Sequence, residues 1–135
     1  MDPIRRIVEP AEAEIDELRA RLGAGNLAAV GQEPQHVLFS VRGAGSRLAA
    51  GLFGRIWFGL FHVRLLWVDP ARRGEGLGTA LMRAAEAEAG AQGCRAVYLD
   101  TATFQAGPFY ARLGYREIAR VQGYGHGVLF FAKDL

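Results

Sequence analysis

The residues best suited to chemistry in this sequence form a glycine-rich loop beside two arginines. Gly74, Gly76 and Gly78 alternate with other residues between an apolar run and an alanine-rich segment that predicts a helix. Glycine lets backbone N–H groups turn into one concave face, and the start of a helix adds the positive end of its dipole. Arg72 and Arg73 bring charge and forked donors to the same place. The loop therefore predicts a phosphate-binding site.

Two other phosphate-binding loops are alternatives. A dinucleotide-binding G-x-G-x-x-G would need glycine where Thr79 stands, and its first glycine would follow the strand directly, whereas residues 69–73 intervene here. Asp100 does lie at about the distance of the acidic residue in that fold, but the glycine spacing disfavours a nicotinamide-dependent oxidoreductase. A P-loop would need Gly-Lys-Ser or Gly-Lys-Thr, and the sequence contains neither.

The pattern that remains is R-x-x-G-x-G over residues 73–78, followed by a second block, F-Y-x-x-x-G-Y, over residues 109–115. In this order and spacing the two blocks resemble the acyl-CoA pyrophosphate loop and the later part of the GCN5-related N-acetyltransferase (GNAT) family. Residues 100–106, Asp-Thr-x-x-Phe-Gln-Ala, are similar to one small bacterial subgroup of that family. The resemblance covers about residues 60–118.

The resemblance implies both a fold class and an activity. The fold would be α+β, a three-layer α/β/α arrangement in which a mixed, mostly antiparallel sheet with two splayed parallel central strands is flanked by helices. The activity would be transfer of an acetyl group from acetyl-CoA to a primary amine by direct attack, with no metal. Because no general base is obvious, a non-catalytic acyl-CoA-binding sensor or partner module is the alternative.

The resemblance also implies where the cofactor lies. The pyrophosphate would meet the loop N–H groups and an arginine side chain, and the pantetheine amides would pair with the exposed edge of the preceding strand. A backbone N–H there would polarise the thioester carbonyl. The predicted cofactor contacts are Leu66, Trp67, Val68, Arg73, Gly74, Gly76, Leu77, Gly78 and Thr79.

Three residues are candidates for proton transfer. Tyr110 occupies the position of the family's tyrosine, so the resemblance implies that its phenol protonates the leaving thiolate. The base is left open between His62 and Asp100, because no carboxylate lies within the apolar strand predicted over residues 58–68. A role in core hydrogen bonding is an equal alternative for His62.

The acceptor side is less defined by the sequence. His62 and Arg64 have the same parity on the predicted strand and therefore share a face, where the guanidinium could bind a carboxylate of the acceptor. The predicted acceptor contacts are Trp57, Phe58, Arg64 and Thr101. Phe61, Tyr124 and His126 are further candidates for the pocket wall, with core packing as the alternative for most of these aromatic residues. The acceptor itself, a small-molecule or peptide amine, is not specified.

Composition restricts the other possibilities. The 135 residues predict one domain, residues 1–135, and a formal net charge of +2 does not indicate nucleic acid binding. No apolar run is long enough to span a membrane, and the first six residues lack the apolar stretch of a signal peptide. The single cysteine, Cys94, fits a reducing compartment, so we expect a cytoplasmic protein. The oligomeric state is left open between monomer and homodimer. No His, Cys or carboxylate cluster indicates a metal.

Periodicity and turn signals predict the elements that hold these residues. Strands are predicted over residues 4–8, 36–42, 48–53, 58–68, 96–100, 115–121 and 128–133, with a hairpin turn at 43–46. Helices are predicted over residues 10–24, 26–32, 77–89 and 108–113. The alanines of the helix over 77–89 predict close packing on a sheet.

Overall fold

The computed structural model describes residues 1–104 and 106–135. The chain divides into two compact units, Met1–Glu33 and Pro34–Leu135. Among the described helices, none is long and apolar enough to cross a membrane. The prediction that residues 1–135 form one domain stays a prediction.

The first unit contains one helix, α1, Glu12–Val30. The Glu14 carboxylate accepts a hydrogen bond from the Ala11 N–H at 3.0 Å, and Gly31, with φ of 75°, ends the helix. The predicted break after residue 24 is wrong, because the helix continues through Gly25 at the modest cost of a glycine in a helix interior. The strand predicted over residues 4–8 is also wrong, since these residues pair with no strand in the described chain.

The second unit is a six-stranded mixed sheet with two helices. Its elements are β1 Gln35–Arg42, β2 Leu48–Trp57, β3 Leu60–Val68, α2 Leu77–Ala91, β4 Ala96–Ala102, α3 Gly107–Arg112, β5 Arg116–Gln122 and β6 Gly127–Asp134. The spatial order is β1-β2-β3-β4-β6-β5, and the β3–β4 pair is parallel while the other pairs are antiparallel. The predicted α+β class, with its mixed, mostly antiparallel sheet flanked by helices, is confirmed.

The β2–β3 hairpin turns later than the sequence pattern predicts. β2 continues to Trp57, and the turn is made by Phe58 and Gly59, whose φ angles are 52° and 72°. Positive φ at two successive residues is the backbone of a tight two-residue hairpin turn, and Phe58 adopts it at some steric cost. The apolar run over residues 58–68 therefore includes two turn residues, and the strand begins at Leu60.

The two parallel strands separate near the middle of the sheet. Their ladder runs from Leu60 opposite Ala96 to Val63 opposite Leu99, although both strands continue further. At the same point β3 has a bulge: Val63 faces Gly54 and Leu65 faces Phe53 on β2, so that Arg64 is the extra residue. A bulge bends its strand. The bend opens a slot between residues 64–68 of β3 and the end of β4.

Helix α2 packs against β2, β3 and β4 and forms the core with them. Met82, Ala85 and Ala89 are completely buried, which confirms that small side chains bring this helix close to the sheet. On the sheet, Phe61, Val63, Val97 and Leu99 are buried toward α2. Because strand side chains alternate, the residues between them point to the opposite face.

A polar cluster fixes the far side of α2. The Glu86 carboxylate accepts hydrogen bonds from the Tyr115 hydroxyl at 2.8 Å and from the Lys133 ammonium at 3.1 Å. The same ammonium donates to the Leu113 carbonyl at 2.9 Å. These bonds join α2 to the end of α3 and to β6, and so they hold α3 in place beside the slot.

Candidate active site

A cleft of about 1110 Å³ opens along the slot between β3 and β4. It is lined by the glycine loop, the separated strand ends and the first residues of α3. The predicted site residues that it brings together are Arg64, Leu66, Trp67, Val68, Arg73, Gly74, Gly76, Leu77, Gly78, Thr79, Asp100, Thr101 and Tyr110. Six predicted residues are not among its lining residues: Trp57, Phe58, His62 and the further wall candidates Phe61, Tyr124 and His126.

The glycine loop leaves unpaired donors at the start of α2. Gly74 and Gly76 have φ angles of 82° and 83°, which only glycine adopts without strain. Gly76 caps the helix without a side-chain hydrogen bond, and the first intrahelical bond runs from the Ala80 N–H to the Gly76 carbonyl at 2.9 Å. The N–H groups of residues 77–79 precede that bond, so they face the cleft as an anion-binding helix terminus.

Gly78 has a packing reason to be glycine. A Cβ added there would lie 3.3 Å from Cζ of Phe109 on α3 and 3.7 Å from a methyl group of Val68. The first turn of α2 therefore lies directly against α3 and the end of β3. A larger residue would move Phe109, next to Tyr110, as well as change the loop itself.

The two arginines of the loop have different partners. Arg72 forms an ion pair with Glu75, with its Nε 2.8 and 3.1 Å from the two carboxylate oxygens, and the pairing lowers the pKa of Glu75. Arg73 instead donates from Nε to the Val68 carbonyl at 3.3 Å. That bond ties the guanidinium to the end of β3 at the cleft, while the charge of Arg72 is largely compensated. Arg73 is therefore the better placed of the two to meet an anion.

The β4-facing edge of β3 is open over residues 64–68, since in the described chain the ladder with β4 ends at Val63. On its other edge this segment pairs with β2, for example Leu66 with Leu52 and Val68 with Ala50. The Leu66 and Val68 side chains pack against the core. The open edge thus presents backbone N–H and carbonyl groups to the cleft at a fixed position.

Tyr110 lies in α3 and is 6% exposed, with its ring against those of Phe109, Tyr115 and Phe131. Pro108 starts the helix, and the Tyr110 N–H donates to the Ala106 carbonyl at 3.2 Å. Burial raises the pKa of Tyr110 to about 12. The phenol that lines the cleft is therefore protonated at neutral pH and can donate a hydrogen bond.

His62 and Asp100 lie together on the sheet face opposite α2. His62 Nε2 is 3.7 Å from Asp100 Oδ1, and the imidazole stacks on the Tyr98 ring with centroids 4.5 Å apart. Burial lowers the pKa of His62, although Asp100 opposes that shift, so the imidazole is neutral at pH 7. Asp100 is half-exposed and lines the cleft. His62 therefore reaches the cleft only through Asp100, since it is not itself a lining residue.

Arg64 faces the cleft because of the bulge. Beyond it Leu66 and Val68 pack on the core side, whereas Leu65 and Trp67 are exposed on the other side. The bulge therefore interrupts the simple alternation from which the sequence predicts a common face for His62 and Arg64. Arg64 nevertheless lines the cleft, as Asp100 does.

Trp57 and Phe58 lie at the β2–β3 turn, where their rings stack 3.8 Å apart. This turn is at the start of β3, whereas the glycine loop follows the end of that strand. The acceptor contacts predicted for these two residues have no support from the geometry. The apolar pattern continues through residue 58 and so places the start of the strand too early.

The sequence does not predict several of the residues that line the cleft: Leu65, Phe104, Ala106, Phe109 and Arg112. Phe104 lies in residues 100–106, the segment whose pattern indicates only the bacterial subgroup of the family. Gln105 of that segment is outside the described residues. Arg112 stands two residues after the tyrosine, one half-turn along α3. In the described part of the chain, no group of three or more His, Cys, Asp or Glu could hold a metal ion.

The comparisons with known proteins agree with this geometry. A family model for the acetyltransferase (GNAT) domain matches residues 34–117. The chain is 44% identical to blasticidin-S acetyltransferase of Streptomyces morookaense over 87 residues, which is 64% of each protein, and 37% identical to an acetyltransferase of Agrobacterium fabrum over 82% of this chain and 81% of that one. A crystal structure of an acetyltransferase from Bacillus cereus matches with a TM-score of 0.78 and 31% identity, covering 97% of this chain and 98% of the other.

The match to the first of these relatives thus spans just under two thirds of its length, while the solved structure is matched over nearly its whole length. The family model covers more than half of the chain and includes the slot, the glycine loop and α3. The chain therefore belongs to the GNAT acetyltransferase family.

Proposed function

We propose that this enzyme acetylates the primary amine of a small molecule, with acetyl-CoA on one side of the slot and the amine on the other. One observation carries the proposal. A single cleft joins an uncapped helix terminus, an open strand edge, a buried phenol and a carboxylate. These are the groups needed to anchor an acyl-CoA, to orient its thioester and to handle the two protons of the transfer.

The donor side begins at the glycine loop. The N–H groups of residues 77–79, with Gly74 and Gly76 shaping the turn, would hold the pyrophosphate, and Arg73 would add a charged hydrogen bond. Backbone groups of residues 66–68 would pair with the pantetheine amides along the open edge. A free N–H of that edge would also stabilise the oxyanion that develops on the thioester carbonyl.

The acceptor reaches the thioester from the face opposite α2, where Asp100 and His62 lie. Asp100 would attract an ammonium group to the cleft and accept a proton from it, and the neutral amine nitrogen that results would then attack the thioester carbonyl. Neutral His62, 3.7 Å from the carboxylate, would take that proton onward or hold the carboxylate in place. Arg64 and Thr101 would contact the rest of the acceptor.

Tyr110 serves the leaving group from the α2 side. A thiol has an ordinary pKa of about 8.5, well below the value of about 12 to which burial raises the pKa of Tyr110. Complete proton transfer from phenol to thiolate is therefore uphill. We infer that Tyr110 donates a strong hydrogen bond to the developing thiolate without giving up its proton, and that CoA leaves as the thiolate and takes its proton from solvent.

The relatives favour a small-molecule acceptor. Blasticidin-S acetyltransferase, 44% identical over 87 residues, is named for an action on a small molecule, so blasticidin S is the first compound to test. We further propose that the enzyme works in the cytoplasm, as one domain over residues 1–135, and as a monomer or homodimer.

A screen of amines with acetyl-CoA tests the proposal. Released CoA and the mass of the acetylated product should identify an amine that is turned over, and Asp100→Asn should lower that turnover with little change in CoA affinity. Binding of CoA without turnover of any amine would instead support the alternative, a non-catalytic acyl-CoA-binding module.

A further inference from the structure

We infer that the acceptor is a monoamine that carries a planar aromatic or heteroaromatic ring, and that this ring stacks on Phe104 at the mouth of the slot. The inference rests on the proposed function, since it takes the amine at Asp100 as the fixed point. It adds the chemical class of the acceptor, which family membership leaves open.

Phe104 is the first observation. This residue is 67% exposed, yet it lines the same cleft as Asp100 and Thr101. Removing an aromatic side chain of this size from water lowers the free energy. Exposed apolar surface that lines a cleft therefore indicates a place where a ligand binds. The ring follows the carboxylate by four residues and lines the same cleft, so one acceptor could contact both.

The segment that carries Phe104 is held firmly. The Thr103 N–H donates to the Gly127 carbonyl at 2.9 Å, and the Gly127 N–H donates to the Thr103 hydroxyl oxygen at 3.0 Å. The His126 ring meets that of Phe104 with centroids 4.9 Å apart and planes at 73°. In this edge arrangement His126 covers at most one face of Phe104, so a face remains for a ligand.

The opposite wall of the mouth is apolar as well. Leu65 and Trp67 of β3 are 66% and 43% exposed, and both line the cleft on the side to which the bulge turns them. Fully exposed Tyr124 stands in the same β5–β6 turn as His126. A flat ring therefore finds apolar surface from β3 on one side and from Phe104 on the other.

The charges of the cleft exclude polycationic acceptors. Asp100 is the single carboxylate among its described lining residues, whereas Arg64, Arg72, Arg73 and Arg112 are all cationic. One carboxylate can attract one ammonium group. Arg72 is paired with Glu75 and Arg73 would meet the pyrophosphate, but a polyamine would still place its further ammonium groups near Arg64 and Arg112. An acceptor with one amine and one planar ring could pair its ammonium group with Asp100 and stack its ring on Phe104.

Two amines of equal length separate stacking from simple hydrophobicity: phenethylamine and its saturated analogue, cyclohexylethylamine. Their kcat/KM values are measured at saturating acetyl-CoA, or their inhibition constants against the acceptor found in the screen where turnover is too slow. We expect the phenyl compound to be favoured roughly 3- to 10-fold, which corresponds to the stabilisation of an aromatic pair. An apolar mouth without stacking would favour the more hydrophobic cyclohexyl ring.

Phe104→Leu keeps the apolar volume and removes the aromatic face, so it should bring the preference to one or reverse it while the affinity for CoA is unchanged. Leu38→Ala, at an equally exposed apolar side chain on β1 outside the cleft, should keep the preference. A wild-type preference of one or less, or a preference that survives Phe104→Leu, would overturn the inference although turnover continues. Absence of CoA release with every amine would contradict the proposed function, and the inference with it.

Discussion

The two faces of the slot between β3 and β4 are built in different ways. On the α2 side the residues are buried apolar side chains and a phenol packed among aromatic rings, and α3 is held by the hydrogen bonds of Glu86. On the opposite side are a half-exposed carboxylate, an exposed arginine in a bulge and exposed aromatic side chains. In the proposed function the α2 side, which is closely packed, is the donor side and binds one constant cosubstrate, whereas the opposite, acceptor side consists of exposed residues that can change without loss of the core.

The largest effect is expected on the donor side, for Tyr110→Phe. This change keeps the buried ring and removes only the hydroxyl, so CoA affinity should survive while kcat falls roughly 10- to 100-fold, the value of one hydrogen bond to a charged group. Turnover and CoA affinity measured on the same preparation separate the two effects. Turnover close to wild type would remove Tyr110 from the reaction, and loss of affinity with normal turnover would make it a cofactor contact.

The next effect distinguishes the two loop arginines. Arg73→Ala should weaken CoA binding about 10-fold, because a charged hydrogen bond to the pyrophosphate is lost, whereas Arg72→Ala should change it less than about 3-fold because Glu75 already compensates Arg72. Calorimetric titration with CoA gives both dissociation constants. Equal losses, or a larger loss for Arg72, would reverse the assignment of the two side chains.

On the acceptor side, Arg64→Ala should raise the acceptor KM severalfold and leave the acetyl-CoA KM unchanged. The reason is that Arg64 stands at the bulge on the acceptor face, away from the loop. Steady-state kinetics with each substrate varied in turn provides the comparison. A rise in both constants would show that the bulge itself, and not the guanidinium, had been disturbed.

The smallest effect concerns pH and stability. Burial lowers the pKa of His62 in the folded enzyme, whereas in the unfolded chain it has the ordinary histidine value of about 6.5. As the pH falls below 6.5, the unfolded chain therefore binds more protons than the folded one. The free energy of unfolding should therefore keep its full His62 contribution near pH 7 and decrease as the pH falls through 6.5. Thermal unfolding of wild type and His62→Gln between pH 5 and 8 checks this, and an identical pH dependence in the two proteins would argue against a buried, neutral imidazole.

The donor side could be predicted from the sequence because its constraints are local. The φ angles of Gly74 and Gly76 require glycine, the alanines of α2 require a close sheet, and Pro108 starts α3, so each feature leaves its mark in the residue types themselves. The roles of individual residues in catalysis stay predictions, although the cleft brings most of them together.

The acceptor side could not be predicted in the same way because it depends on pairing between strands. The register of β2 with β3 sets both the turn at Phe58 and the bulge at Arg64, and neither has a distinctive residue pattern. For the same reason the sequence predicts Trp57 in the pocket. Phe104 is not predicted there because its position depends on contacts of residues 103–104 with Gly127 and His126, which are distant in the sequence. The ion pair that sets Arg72 apart from Arg73 likewise depends on how the loop folds.

Amide hydrogen exchange with and without CoA tests the central claim most directly, that the open edge of β3 and the start of α2 form one donor-binding surface. CoA should slow exchange of the N–H groups of residues 77–79 and of those within residues 64–68 that face β4, and should leave β1 and β5 unchanged. Protection of the loop without the strand edge, or protection outside the cleft, would contradict the account.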